Sequence, residues 1–125
     1  MSTWTPEQLS ALGGAEELQV SSYRADGTLR PFTTIWGVRV GDDVYVRSAY
    51  GPGNGWYRHA RAAGTGRVRA AGVDTDVTYE QAPASTGAEV DAAYHAKYDG
   101  HGPAIVGTVV GPQAAEVTLR VVPGA

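Results

Sequence analysis

Glycine and proline set the limits on this chain. Seventeen Gly and seven Pro fall between short apolar runs, so the long uninterrupted helices of a bundle are excluded. No apolar stretch approaches the roughly 20 residues of a membrane span, and the N-terminus lacks the charged-then-apolar pattern of a secretion signal. What remains is a succession of short elements and frequent turns. A length of 125 residues suits one domain, 1–125, which can bury roughly two thirds of its unfolded surface without covalent staples. Cysteine is absent, which excludes disulfides, thiolate metal sites and a thiol nucleophile.

The chain opens on a helix signal. Thr5 suits an N-cap, Pro6 the first helical position and Gln8 the return arm of a capping box, with Gly13-Gly14 as the stop. Leu18–Tyr23 alternates apolar and polar residues, then Asp26-Gly27 precedes a run from Thr28 to Val40 rich in Thr, Ile, Trp and Val. Asp-Gly between two such runs predicts a hairpin. Pro31 belongs near its start or on an edge. A turn at Gly41-Asp42-Asp43 leads to a strand over 44–48, and Arg67–Ala70 and Val77–Glu80 read as two more around a turn near Gly72 and Asp74. Trp56–Ala63 reads as a short helix closed by Gly64, and Ala88–Tyr98 as a second amphipathic one. An apolar run, Ala104–Val110, precedes a last strand over Val117–Val122. About six strands with two to three helices predict a mainly β fold, a small antiparallel barrel whose closure removes exposed edges.

Composition narrows function only by exclusion. Ten basic residues against 13 acidic give a net charge of −3, which argues against nucleic-acid or membrane partners recruited by bulk charge. The expectation is a soluble cytoplasmic protein acting on a small molecule. Nine of the ten basic residues are Arg and only Lys97 is Lys, a bias typical of GC-rich coding, so no Arg is singled out by its type. His59, His95 and His101 have no metal-ligand spacing, and no Ser sits in a nucleophile elbow. Asp74 and Asp76 read first as a solvated turn, and Tyr94 and Tyr98 as packing on one helix face.

The stretch Arg47–His59 is the candidate site. A strand ends at Arg47-Ser48, a loop with three Gly and a Pro follows, and a helix starts near Trp56. Unpaired N–H groups at such a helix start suit a phosphate. Arg47 and Arg58 can add bidentate contacts and Ser48 a hydroxyl, while Tyr50, Trp56 and Tyr57 offer flat surfaces to a ring. The plainer alternative is a connecting loop with a Trp plugging the barrel's end. Arg24 and Arg30, flanking the first hairpin turn, are either solvated or in reach of a second anionic group.

The run Tyr45-Val46-Arg47-Ser48-Ala49-Tyr50-Gly51-Pro52-Gly53-Asn54-Gly55-Trp56-Tyr57-Arg58 resembles a segment of the flavin- and deazaflavin-binding split β-barrels, the pyridoxamine-phosphate-oxidase-like and deazaflavin-dependent nitroreductase-like proteins. Arg24–Pro31 resembles the Arg-x-x-Gly hairpin of the same families. The opening Thr3–Leu9 and the late Tyr98–Pro103 are similar to an uncharacterised bacterial domain-of-unknown-function subfamily. The resemblance implies a homodimeric split barrel with FMN or a deazaflavin coenzyme in a cleft between subunits. Carried onto this chain, it makes Arg47, Ser48, Tyr50, Gly51, Trp56 and Arg58 cofactor-binding candidates. Two departures stand out: Ala49 where the deazaflavin reductases usually carry Lys, and Arg58-His59 where they tend to carry Asn.

The function expected is therefore a flavin- or deazaflavin-dependent oxidoreductase, in which the cofactor supplies the hydride chemistry and no dedicated catalytic side chain is required. Two alternatives share the cleft. One is a protein that binds a small ligand or a flavin without turnover. The other is a cofactor-free enzyme using Asp74, His59 or His101 for proton transfer. Fold does not decide among them.

Overall fold

Helix α1, Pro6–Gly14, begins with the capping box expected of it. In the computed structural model, which describes residues 3–124, the Gln8 N–H donates to Thr5 Oγ1 (3.1 Å) and the Thr5 N–H to Gln8 Oε1 (3.0 Å). Two orphan donors of the first turn are thus satisfied locally, and Pro6 removes a third. Leu9 and Leu12, three apart on one face, are buried.

The strands are β1 (Leu18–Ser22), β2 (Thr33–Ile35), β3 (Gly37–Val40), β4 (Asp43–Arg47), β5 (Thr65–Ala70), β6 (Val73–Gln81) and β7 (Thr118–Pro123). All pairings are antiparallel, in the spatial order β2-β1-β5-β6-β7-β4-β3. The two edges, β2 and β3, are consecutive in sequence and separated only by Trp36, so the sheet curls into a nearly closed split barrel with Trp36 at its seam. Seven strands replace the expected six because the run to Val40 breaks at Trp36. There Trp36 stacks on Tyr98 at 4.1 Å, with planes 6° apart, and its carbonyl accepts from the Tyr94 hydroxyl (3.4 Å). A side chain held that firmly outside the ladder ends one strand and starts the next.

The helices number five among the described residues, against two to three expected: α2 (Gly55–Ala63), α3 (Gly87–Tyr98), α4 (Pro103–Val106) and α5 (Pro112–Glu116) follow α1. The last two have four and five residues, too short to display a period, though each starts with Gly-Pro. None of the helices is long and apolar enough to cross a membrane.

Strand β4 shows why there are two cores. Val44 and Val46 point into the barrel with Leu18, Val20, Val68, Leu119 and Val121. Tyr45, of opposite parity, packs outside it with Val38, Val90, Tyr94, Tyr98, Val106 and Val109, under a cover made by α3 and α4. A strand buried on both faces ought to be apolar throughout; Arg47, on the outer face, is the exception. Close packing also fixes Gly66 on β5, where a Cβ would sit 1.9 Å from the Ser21 carbonyl oxygen and 2.7 Å from the Tyr79 ring.

Candidate functional site

The loop after β4 is shaped by its own polar groups. Ser48 is fully buried, and its hydroxyl donates to the Gly51 carbonyl. Asn54 Nδ2 donates to Ser48 Oγ (3.0 Å) and to the Ala49 carbonyl (2.6 Å). Asn54 occupies the N-cap of α2, yet with its amide turned into the loop it gives the helix no side-chain cap. The first-turn N–H groups of α2 are left for something else. The same loop holds Gly51 at φ +96° and Tyr50 at φ +63°. Glycine tolerates that region; tyrosine is strained there. Tyr50 is also 86 % exposed, so no packing on the protein offsets the strain.

Arg47 has a different environment from the one its sequence neighbours suggest. Its side chain is 0 % exposed and pairs with Asp91 on α3. Nε donates to Thr118 Oγ1 (2.8 Å), Nη1 to the Asp91 carboxylate and the Val109 carbonyl (2.8 Å), and Nη2 to the Gly87 carbonyl (3.2 Å). The Asp91 carboxylate accepts in turn from the Gly111 N–H (3.2 Å). Four guanidinium hydrogen bonds are thus made inside the protein, joining the barrel to its helical cover. Arg58, by contrast, lies on the exposed face of α2.

Two cavities adjoin along β2 and share Thr33 and Trp56 in their walls. The larger, about 360 Å³, runs along the seam: Ile35, Trp36, Ala49, Tyr50, Ile105 and Val109 line it, with Arg47 behind. Tyr50 and Ile105 (46 % exposed) stand at its mouth. The smaller, about 260 Å³, lies between β1 and α2, with Ser21, Ser22, Arg30, His59 and the Gly55 end of the helix around it. Burial pushes the His59 imidazole pKa down, and the positive charges of Arg30, Arg58 and Arg24 push it further the same way.

Of the candidates read from sequence, Arg47, Tyr50 and Trp56 come together at the larger cavity, while Ser48 and Gly51 brace the loop that presents Tyr50. Trp36, Ile35, Ile105 and Val109 are lining residues the sequence reading did not select. Trp36 carried one usable signal, a large aromatic interrupting a β run; Ile105 and Val109 carried none, since only the fold brings them near the loop. The remaining histidines lie elsewhere: His101 pairs with Glu16 and His95 with Asp99, and Asp74 and Asp76 pair with Arg67. Among the described residues no group of three or more His, Asp or Glu is placed to hold a metal ion.

The chain belongs to a bacterial family described as uncharacterized protein conserved in bacteria (DUF2255), whose profile matches residues 8–121. No curated protein matches it. Solved structures do. One is an F420 reductase, 20% identical over 93% of this chain and 92% of that one, at a TM-score of 0.56. A conserved hypothetical protein from Mycobacterium tuberculosis is 10% identical over 99% of this chain and 82% of its own, at 0.55. An FAD- and heme-binding protein from Mycobacterium smegmatis is 14% identical over 97% of this chain and 66% of its own, at 0.52. At these identities the likeness is one of fold.

Proposed function

We propose that this DUF2255 protein holds a flavin-type cofactor, FMN or a deazaflavin, in the seam cavity and acts as an oxidoreductase on a small organic substrate. The observation that carries the reading is the cavity's make-up: about 360 Å³ between two tryptophans, Trp36 and Trp56, with aliphatic Ile35, Ile105 and Val109. Concave, mostly apolar sites of this size suit a planar ring. The fold shared with an F420 reductase and an FAD- and heme-binding protein supports the same cofactor class.

When bound, such a cofactor supplies hydride transfer. The chain's own part is to bind, orient and shield. Trp56 and Trp36 form walls for the ring, and Ile105 and Val109 exclude water from one side. Ser48 and Gly51 set the loop, Arg47 holds the cover against the barrel, and Arg58 is the cation of the Arg47–Arg58 stretch free to meet an anionic group. Tyr50, strained and exposed at the mouth, is the side chain available to fold over a ring. A second copy of the chain completes the reading, covering Tyr50 and Ile105 as a homodimer.

The test is a titration with FMN, riboflavin and a deazaflavin coenzyme, read by cofactor fluorescence and by melting temperature. A ligand of the native state raises the melting temperature in step with its affinity. Micromolar binding of one of them is expected; absence of binding by all three sinks the reading. Tyr50→Ala is expected to weaken ring binding about fivefold, the loss of one aromatic contact, with the ligand-free melting temperature unchanged. Sedimentation of the free protein checks the dimer.

A further inference from the structure

The smaller cavity is bordered by one buried donor that has nothing to donate to: its Ser21 and Tyr79 hydroxyls are spent on the Arg30 and Ser21 carbonyls, but that of Ser22 is not. Ser22 is 3 % exposed, and its hydroxyl has no hydrogen-bond partner among the described residues. No fully enclosed side-chain N or O atom in them lacks a partner, so the Ser22 Oγ must reach open space. The open space it borders is this cavity. Beside it lies the start of α2, a nine-residue helix without a side-chain cap.

The charges agree with the donors. Arg30 and His59 line the cavity; Arg24 and Arg58 are near enough to bias the His59 ring. None of these three arginines forms an ion pair with a carboxylate among the described residues, whereas Arg47, Arg67, Arg69 and Arg120 all do. Asp26 accepts from the Thr28 N–H and hydroxyl (3.0 and 2.7 Å), which with the Arg24 charge hold its carboxyl below the ordinary value. Arg24 and Arg58 are exposed, and Arg24 also donates to Thr28 Oγ1 (3.3 Å) and the Leu29 carbonyl (3.0 Å); with Arg30 they give the cavity a local positive field in a chain of net charge −3.

We infer that the cavity bounded by Ser22, Arg30, His59 and the α2 N-terminus is a phosphate site that takes a phosphomonoester or a free phosphate. The match is one of number as well as sign. A phosphate presents three or more acceptor oxygens, and the site offers a guanidinium fork, a hydroxyl, an imidazole and the first-turn N–H groups of α2. A carboxylate would leave part of that set unanswered. The phosphate can arrive as the arm of a ligand whose ring lies beyond Trp56 in the seam groove, or by itself; only the first source rests on the cofactor reading above.

The experiment uses the full chain and two probe pairs. Inorganic phosphate, against chloride at matched ionic strength, is followed by the His59 imidazole NMR signals, identified by their loss in His59→Gln. FMN is compared with riboflavin, which lacks the phosphate. The expected result is a saturable phosphate shift of His59, an FMN preference of about tenfold or more, and loss of both in Arg30→Gln and Ser22→Ala. Arg61→Gln, on the same helix and exposed, should retain both. Because the Arg30 side chain has no hydrogen-bond or ion-pair partner among the described residues, the ligand-free melting temperature of Arg30→Gln should match the wild type. A phosphate shift with neither flavin bound supports the site and removes the FMN form of the cofactor reading. Equal binding of FMN and riboflavin with no His59 response keeps the cofactor reading and overturns the phosphate site. So does a response that survives in both Arg30→Gln and Ser22→Ala.

Discussion

Two groups of ion-paired arginines sit on the same sheet and do opposite things. On β4, Arg47 is enclosed at 0 % side-chain exposure against Asp91 at 30 %. On the β5–β6 hairpin, Arg67 pairs with Asp74 (2.6 Å) and Asp76 (2.9 Å), with exposures of 29, 47 and 55 %, and Arg69 adds Asp74 (3.2 Å). The hairpin has more pairs, yet water would replace every one of them if they broke. On β4 the substitute is only partial. Removing the cation would leave the Gly87 and Val109 carbonyls and the Thr118 hydroxyl oxygen, all buried, without that donor, while the partly exposed Asp91 carboxylate would keep water and the Gly111 N–H. The number of ion pairs therefore says little; what matters is what each group would face alone.

The sharpest way to break that contrast is Arg47→Met, which keeps the stem and deletes the charge. A loss of about 3 kcal/mol in unfolding free energy is expected, as for a buried pair deprived of one partner. A denaturant midpoint implying less than about 1 kcal/mol would move Arg47 into the class of the hairpin pairs. The outer core should then be probed at the ring tethered to two other segments. The Tyr98 hydroxyl accepts from the Gly37 N–H (3.2 Å) and donates to the Glu16 carbonyl (2.8 Å), joining α3 to β3 and to the start of β1. Tyr98→Phe should cost about 1 kcal/mol. No change in midpoint would mean the Trp36 stack alone holds the seam.

How far the sequence revealed these features depended on how local their causes are. The α1 capping box involves four successive residues and was fully readable; the turn at Gly72 was readable too, but β6 starts at Val73 rather than Val77 and takes Asp74 and Asp76 into the strand. Arg47 was read as an anion ligand because its neighbours in sequence are a Gly-rich loop and a helix start. Its actual partner, Asp91, is 44 residues away on a helix whose packing no local pattern specifies. The site divides in the same way. The loop from Ser48 to Asn54 could not be regular structure and is not, whereas the wall opposite it comes from Ile105 on the four-residue α4 and Val109 in the bend after it, with no period to detect. The unpartnered state of Arg30 and Ser22 is a property of surroundings and could not be seen in the chain.

Lys97 lies between the two extremes and sharpens the comparison. It is a half-buried cation with no carboxylate partner among the described residues; Nζ donates to the Gly37 carbonyl (2.7 Å) and lies 5.2 Å from the centre of the Tyr98 ring. Burial lowers its pKa from 10.5 to about 8, only partly countered by Glu16. Between those two values the unfolded chain binds more protons than the folded one, so this group's contribution to stability rises with pH. Wild type should gain on Lys97→Met from about pH 8 towards 10.5, with a constant difference below pH 8. Urea midpoints of both proteins at several pH values measure it. A flat difference throughout would mean the ammonium is as well solvated in the fold as outside it.

The smallest effect expected belongs to the hairpin, and acid is where it shows. Hydrogen bonding to Arg67 holds the Asp74 carboxyl below its ordinary 3.8. The Tyr23 hydroxyl, then Arg67, does the same for Asp76. Because the folded values are depressed, the stability these carboxylates contribute is present above pH 3.8 and is lost as pH falls through the lowered values. Arg67→Ala should leave the neutral-pH midpoint almost unchanged and make the decline below pH 4 shallower, more so for Asp74 than for Asp76, which keeps Tyr23. Raising the salt should shrink the remaining difference, since these charges face water. If Arg67→Ala instead costs as much as Arg47→Met at pH 7, exposure does not separate the two regions. The hairpin's strand pairing would then depend on its charges in a way that β5 and β6, matched over six residue pairs from Thr65↔Thr78 to Ala70↔Val73, give no reason to expect.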